Sequence, residues 1–250
     1  MSTAPQTYDL SLLECSAEKW KASPALRAVY ADLFAEMRRQ LVAGTVLEIG
    51  SGIGMARDYF PGLVTSDVVA TRFVDRAVSA YAIPPEQWGN VIAFDMLHHL
   101  QEPLRFFASA AAALAPGGRL ILVEPAGTWW GRTFYGWFHP EPCEPDAVQP
   151  PYRFPADANG GFANMGMAHA LFGPGRPGIA AELQALGLGV EVVRYRDVLA
   201  YPATGGFSHR AALPAPALRG LLAVERLLPQ AVLRVLALRM LVVLTRKSPP

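Results

Sequence analysis

Residues 46–54, V-L-E-I-G-S-G-I-G, combine an acid at a strand end with backbone left bare beside it. Glu48 precedes glycines at alternate positions, Gly50, Gly52 and Gly54, with Ser51 between the first two. Glycine lacks a Cβ, so such a loop can bring its backbone against a ligand. Following a strand rich in β-branched residues and leucine, it marks a nucleotide-type site at the carboxyl end of a parallel sheet. A dinucleotide loop needs its third glycine at position 55, where this chain has Met55. His98, His99, His139 and His169 are candidates for proton transfer or acceptor contact, because histidine titrates near neutral pH. His98 and His99 are adjacent and expected to face different directions, so no metal site is expected. Trp129, Trp130, Phe134, Tyr135, Trp137 and Phe138 crowd one short segment. They suit either core packing or the walls of a pocket for a flat or lipophilic molecule.

The elements that must position these groups follow from periodicity. Trp20, Leu26, Val29, Tyr30, Leu33 and Met37 recur at helical spacing and predict one or two helices over residues 16–41. Strands are predicted at 41–49, 63–69, 73–78, 88–94, 119–124, 190–195 and 236–245. Helices are predicted at 103–114, stopped by A-P-G-G, in a stretch ending at Phe172, at 179–186 and at 217–228. Residues 57–61 are short for a helix, and the second and third strands lie too close for the usual crossover of a dozen or more residues. The helix there is expected to be lost or reduced to a loop. Alternating strand and helix periods predict an α/β fold, doubly wound, with a seven-stranded, mostly parallel sheet. Residues 126–178, rich in tryptophan and proline, form an insertion after the fifth strand where a substrate cap would sit. Trp129, Trp130, Tyr135, Trp137 and His169 are its candidate substrate contacts.

A chain of 250 residues suffices for one domain with a full core, so residues 1–250 are read as a single unit. Lys and Arg number 22 against 21 Asp and Glu, which leaves no basic field to attract nucleic acid. Cys15 and Cys143 imply neither a disulfide framework nor a metal site. The opening M-S-T-A-P-Q lacks a charged region followed by an apolar run, so no signal peptide is expected. Residues 218–244 are apolar but broken by Arg219, Glu225, Arg226, Pro229, Arg234 and Arg239, a poor membrane span. The expectation is a cytoplasmic protein without stable membrane insertion, its leucine-rich C-terminal helix serving as core or homodimer surface.

Three further segments, with the glycine loop, carry a family resemblance. Asp67 closes the second strand; 88–100 end in L-H-H-L; 114–125 contain L-A-P-G-G-R-L and V-E-P. In this order they resemble the class I S-adenosylmethionine (SAM)-dependent methyltransferases, whose first motif reads roughly V-L-D/E-x-G-x-G-x-G. The flavour is that of the ubiquinone- and menaquinone-biosynthesis group, which methylates small molecules. The resemblance implies SAM as cofactor, held by Glu48, Gly50, Ser51, Gly52, Gly54, Asp67, Val68, Ser79 and Ala80, with Phe94 and Asp95 near the sulfur. It implies that Asp67 takes the ribose hydroxyls and that residues 1–42 form a helical lid. His98, His99 and His139 are the candidate catalytic residues. Two departures stand out: Ser79-Ala80 replaces the acid after the third strand, and Trp88-Gly89 replaces the phenylalanine-aspartate opening the fourth. The expected reaction is methyl transfer to oxygen or carbon of a small apolar or aromatic acceptor. The alternatives are a methyltransferase fold repurposed for cyclisation, rearrangement or decarboxylation, and a non-catalytic partner protein.

Overall fold

The structure, a computed structural model, describes residues 10–156, 161–176 and 178–247. The start of the predicted lid, with the M-S-T-A-P-Q segment, and residues 157–160 of the predicted cap lie outside the described residues.

The N-terminal periodicity resolves into two helices, α1 (Leu10–Ala22) and α2 (Pro24–Arg38). They part at Ser23, whose hydroxyl accepts from the Leu26 N–H while Pro24 occupies the first turn, a sequence-encoded helix start. Seven strands follow: β1 (Val46–Ile49), β2 (Leu63–Asp67), β3 (Arg76–Ala77), β4 (Trp88–Phe94), β5 (Leu114–Pro125), β6 (Leu188–Arg196) and β7 (Arg239–Arg246). They form one sheet in the order β3-β2-β1-β4-β5-β7-β6, and only β7 runs antiparallel to its neighbours. The strand order reverses at β1, which sits between β2 and β4, so a crevice opens at its carboxyl end.

Side chains alternate strictly across the sheet. Val46, Ile92, Phe94, Ile121, Val123, Leu241 and Val243 pack with Leu26, Tyr30, Leu33, Phe34 and Met37 of α2. Leu47, Ile49, Val91, Ala93, Leu120, Leu122, Val242 and Leu244 face the other way, onto α3 (Pro103–Ala113) and α6 (Ala180–Ala185). Each fully buried large side chain contributes about 1.5–3 kcal/mol, which makes both faces apolar and the sheet doubly wound as expected.

The structure departs from the sequence expectations at the left edge of the sheet. The β2–β3 crossover holds no helix and none forms over 57–61, both as expected, but the third strand shrinks from 73–78 to two residues. A polar staple replaces the missing helices. The Asp75 carboxylate accepts from the Thr65 N–H at 2.9 Å, and Arg57 donates to Asp75 (2.9 Å), to the Thr65 hydroxyl (2.6 Å) and to the Phe73 carbonyl (3.3 Å). The Asp75 N–H also donates to the Thr65 carbonyl at 3.0 Å, and the paired residues of β3 are Arg76 and Ala77. The aromatic segment is a helix, α4 (Trp129–Phe138), capped by Thr128, and not a loop. Short helices α5 (Met167–Phe172) and α7 (Ala200–Ala203) follow, and Pro229 divides the C-terminal helix into α8 (Ala215–Glu225) and α9 (Gln230–Leu236). Among the described residues no helix is long and apolar enough to cross a membrane.

Candidate active site

The glycine loop is held from beneath by serines. Ser51 donates its N–H to the Ser66 carbonyl (2.8 Å) and accepts from the Ser66 N–H (3.0 Å), while the Ser66 hydroxyl donates to the Glu48 carbonyl (2.6 Å). The Ser51 hydroxyl thus ties β1 to β2, a role its place in the motif does not disclose. Gly50 has φ +73, and a Cβ there would lie 2.6 Å from Met96 Cγ. Gly54 has φ +67 and would meet the Phe73 carbonyl at 2.6 Å, so it serves the close passage of the β2–β3 crossover and lines neither chamber described below. Burial pushes the Glu48 carboxyl up to about 7, against a hydrogen bond from Ser51, and its Oε2 has no hydrogen-bond partner.

Two chambers open on the loop. The first, about 520 Å³, is lined by Gly50, Asp67, Val68, Ser79, Ala80, Asp95 and Met96, with Leu12 and Leu13 of α1 across from them. Asp67 accepts from the Gly52 N–H (2.9 Å) and the Val68 N–H (2.7 Å), one bond per oxygen, and so keeps lone pairs for further donors. Val68 is 59% exposed, an apolar side chain left for something flat to cover. The set fits SAM: a bare glycine backbone that a Cβ would fill, an acid with spare acceptor capacity at the β2 end, and an apolar wall. Ser79 lines the chamber where the family has an acid, although its hydroxyl already accepts from the Tyr81 N–H.

The second chamber, about 750 Å³, is aromatic. Tyr30, Phe94, Trp130, Phe134, Tyr135, Phe138 and Tyr201 line it, with Glu48, Gly52, Asp95, His98, His99, His139, Glu141 and Arg239. Arg239 is 1% exposed and lies 3.8 Å from the centroid of Tyr201 and 4.8 Å from that of Phe94. It donates to Asp95 and to the Tyr30 hydroxyl, each at 3.0 Å, but Nη1 makes no hydrogen bond. Burial raises the Asp95 carboxyl to about 6 although Arg239 pulls it down. Asp95 also sits at φ 47, in the left-handed region that aspartate tolerates, which turns the chain between the chambers. Trp130 Nε1 is a second buried donor without a partner.

The L-H-H-L turn is organised by Glu124. Its buried carboxylate accepts from the N–H groups of Met96 (2.8 Å) and Leu97 (2.7 Å) and pairs with His98 Nδ1 at 2.8 Å. That explains why an acid at the end of β5 accompanies paired histidines after β4. Burial opposes a charge on His98, but the hydrogen bond to Glu124 and the Glu141 carboxylate 3.6 Å away outweigh it and raise its pKa. Burial lowers the pKa of His99 and of His139. The expectation that His98 and His99 face apart does not hold: their ring centroids are 4.1 Å apart with planes 39° from parallel. The tight 3-10 turn, Leu97–His99, brings both rings to the second chamber.

Of the substrate candidates, Trp130 and Tyr135 line the second chamber. Trp129 and Trp137 do not, and are 66% and 71% exposed. Helical geometry is the reason: residues 130, 134 and 138 share one face of α4, and 129, 133 and 137 share another. His169 is buried elsewhere, with its Nδ1 3.2 Å from the Tyr195 hydroxyl. Residues that sequence reasoning missed include Glu141 and Arg239. Arg239 had a signal, a lone cation in the otherwise apolar run 236–244; Glu141, in H-P-E-P, had none.

The fold and the glycine-loop site define a nucleotide-type α/β enzyme, and comparison makes the class specific. The Methyltransferase domain family matches residues 22–171, more than half of the chain, and the chain belongs to that family. A SAM-dependent methyltransferase from Thermotoga maritima shares the fold at TM-score 0.50 and 14% identity, over 90% of this chain and 91% of that one. So does a Haloferax volcanii protein assigned as a methyltransferase and solved with the Trm112 methyltransferase activator, at TM-score 0.50 and 12% identity, over 98% and 100%. The Burkholderia thailandensis 1,6-didemethyltoxoflavin-N1-methyltransferase, solved with S-adenosylhomocysteine, aligns at TM-score 0.47 and 15% identity, over 100% and 93%. No curated protein matches the chain in sequence.

Proposed function

We propose that this enzyme methylates an oxygen or carbon of a small aromatic or apolar acceptor, with SAM in the first chamber and the acceptor in the second. The shared wall carries this reading: Leu13, Gly50, Asp95 and His99 line both chambers, so a donor in one meets an acceptor in the other there. SAM, when bound, supplies an electrophilic methyl group on sulfonium. The chain's own residues do the rest. Asp67 offers its free lone pairs to the ribose hydroxyls, Val68 and Ala80 flank the adenine, and Gly50 leaves room for the methionine moiety. Residues of α1 act as the lid, and the segment 126–178 caps the acceptor.

The walls of the second chamber exclude water and orient a flat acceptor between Trp130, Phe134 and Tyr201. Trp130 Nε1–H, buried without a hydrogen-bond partner, presents a donor to an acceptor oxygen, while Arg239 Nη1, 4.0 Å from Asp197, adds positive charge behind the rings. Methyl transfer is an in-line displacement, so alignment of this kind supplies much of the acceleration; good orientation is worth effective molarities of about 10⁵–10⁸ M.

Calorimetric titration with SAM and S-adenosylhomocysteine, on wild type and Gly50→Val, tests the first chamber. Wild type should bind and the variant should not; no binding by wild type would overturn the assignment. Incubation with labelled SAM and a panel of phenols, enols and quinols then tests the second. Cofactor binding with no labelled product across the panel would count against this acceptor class.

A further inference from the structure

Resting on the reading of the second chamber as the acceptor site, we infer that His98, His99 and Glu141 form a binding site there for one first-row divalent metal ion. One ligand atom from each lies within 4.8 Å of the others. His98 Nε2 stands 3.6 Å from Glu141 Oε2, and the His99 ring lies beside that of His98. Donors about 2.1 Å from one ion stand about 3–3.5 Å apart, so loading draws these three inward by about 1 Å. The exposed His99 and half-buried Glu141 side chains can make that shift.

Three independent features favour an ion. First, Glu141 Oε2 is buried and makes no hydrogen bond. Second, His98 Nδ1 pairs with the Glu124 carboxylate at 2.8 Å, which leaves Nε2 on the side of Glu141. Metal-binding histidines are held in this manner, one ring nitrogen fastened to a carboxylate or carbonyl while the other faces the ion. Third, Glu124 and Glu141 bring two carboxylates to the two sides of His98, and a divalent ion that takes the place of the His98 proton neutralises both. His139 is not counted among the ligands, because its Nδ1 accepts from the Glu141 N–H at 3.3 Å.

Two imidazoles and a carboxylate suit Fe²⁺, Co²⁺, Ni²⁺ or Zn²⁺ and leave coordination positions open. All three residues line the second chamber, so the open positions face the acceptor. The acceptor class narrows accordingly, to molecules that present an oxygen ligand such as a phenol, enol or hydroxy-ketone beside the methylated atom.

The test uses untagged full-length protein stripped with chelator, titrated with Co²⁺ by visible absorption and with Zn²⁺ by calorimetry. Wild type should take up one equivalent with visible d–d bands. His99→Ala and Glu141→Gln should each weaken uptake at least about 100-fold while circular dichroism shows the fold retained. His139→Ala should change affinity less than tenfold. No stoichiometric uptake by wild type, or equal uptake by both ligand variants, overturns the site. S-adenosylhomocysteine titration of the same stripped samples keeps this outcome separate from the preceding reading. Cofactor binding without metal uptake removes only the metal, whereas loss of cofactor binding by wild type removes the chamber assignment itself.

Discussion

The first chamber is lined mainly by residues close together in sequence, 49–50, 67–68, 78–81 and 95–101. The second draws Tyr30, Trp130, Glu141, Tyr201 and Arg239 from nearly the whole length of the chain. The first is made at strand ends by backbone: glycines without Cβ atoms, Asp67 accepting two N–H groups, and the Ser51–Ser66 tie. The second is made by large side chains around a buried cation. Chemistry common to many substrates resides in the local chamber, and the features that select an acceptor reside in the long-range one. A cofactor site built from backbone tolerates divergence around it, while a pocket of packed rings changes with any element that touches it.

The greatest stability effect should come from the cation at the centre of the second chamber. Arg239→Met leaves Asp95 buried without its guanidinium partner. Breaking a buried pair costs about 3–5 kcal/mol, a fall of about 10 °C in Tm. A scanning-calorimetry shift under 2 °C would show that the aromatic walls, and not the charge, hold this chamber together.

Next comes a pH effect from Glu48. Its pKa rises from 4.5 to about 7 on folding through burial, with Asp67 pushing it up and Arg57 pulling it down. The folded chain therefore binds this proton more tightly than the unfolded one. The stability it contributes is full below about pH 4.5 and is lost as pH climbs to about 7, about 3 kcal/mol in all. Urea unfolding of wild type and Glu48→Gln across that window should show the decline only in wild type; parallel curves would place Glu48 in contact with solvent.

Gly50→Ala places a methyl group 2.6 Å from Met96 Cγ on left-handed backbone. Strain and overpacking together amount to about 3 kcal/mol, so S-adenosylhomocysteine affinity should drop about 100-fold by calorimetry. Unchanged affinity would mean that the loop does not touch the cofactor.

Thr128→Ala removes a cap that accepts from the Gly131 N–H at 2.9 Å and donates to the Ala237 carbonyl at 2.7 Å. It should cost about 1–2 kcal/mol and raise the acceptor KM, since it loosens α4 from the segment leading to Arg239. The smallest effect is expected at Trp137→Ala, with stability within about 0.5 kcal/mol of wild type and KM unchanged. Trp130→Ala, one face away on α4, should raise the acceptor KM; equal effects at both positions would dissolve the distinction between the two faces.

How much of this was legible beforehand divides along the same line. The places of most strands along the chain, the glycine loop, Asp67 and the P-G-G turn follow from local pattern, because each depends on neighbours a few residues away. Glu124 was visible as a motif position, yet its purpose, bonding Met96, Leu97 and His98 at the start of the L-H-H-L turn, needed the pairing of β4 with β5. The third strand was overread: of 73–78 only Arg76 and Ala77 pair in register with β2, and the Arg57–Asp75–Thr65 staple fastens the residues before them.

By itself the sequence determined an α/β sheet, a loop bare enough for SAM and membership in the methyltransferases, since glycine spacing and hydrophobic period act over short range. The tertiary structure alone decided that Trp130 faces inward while Trp129 and Trp137 face water, that His98 and His99 lie side by side against Glu141, and that Arg239 is buried among aromatic rings. Those facts depend on which face of α4 and β7 meets the rest of the fold. That choice is made by the sum of packing across the whole molecule, and no local stretch of residues encodes it.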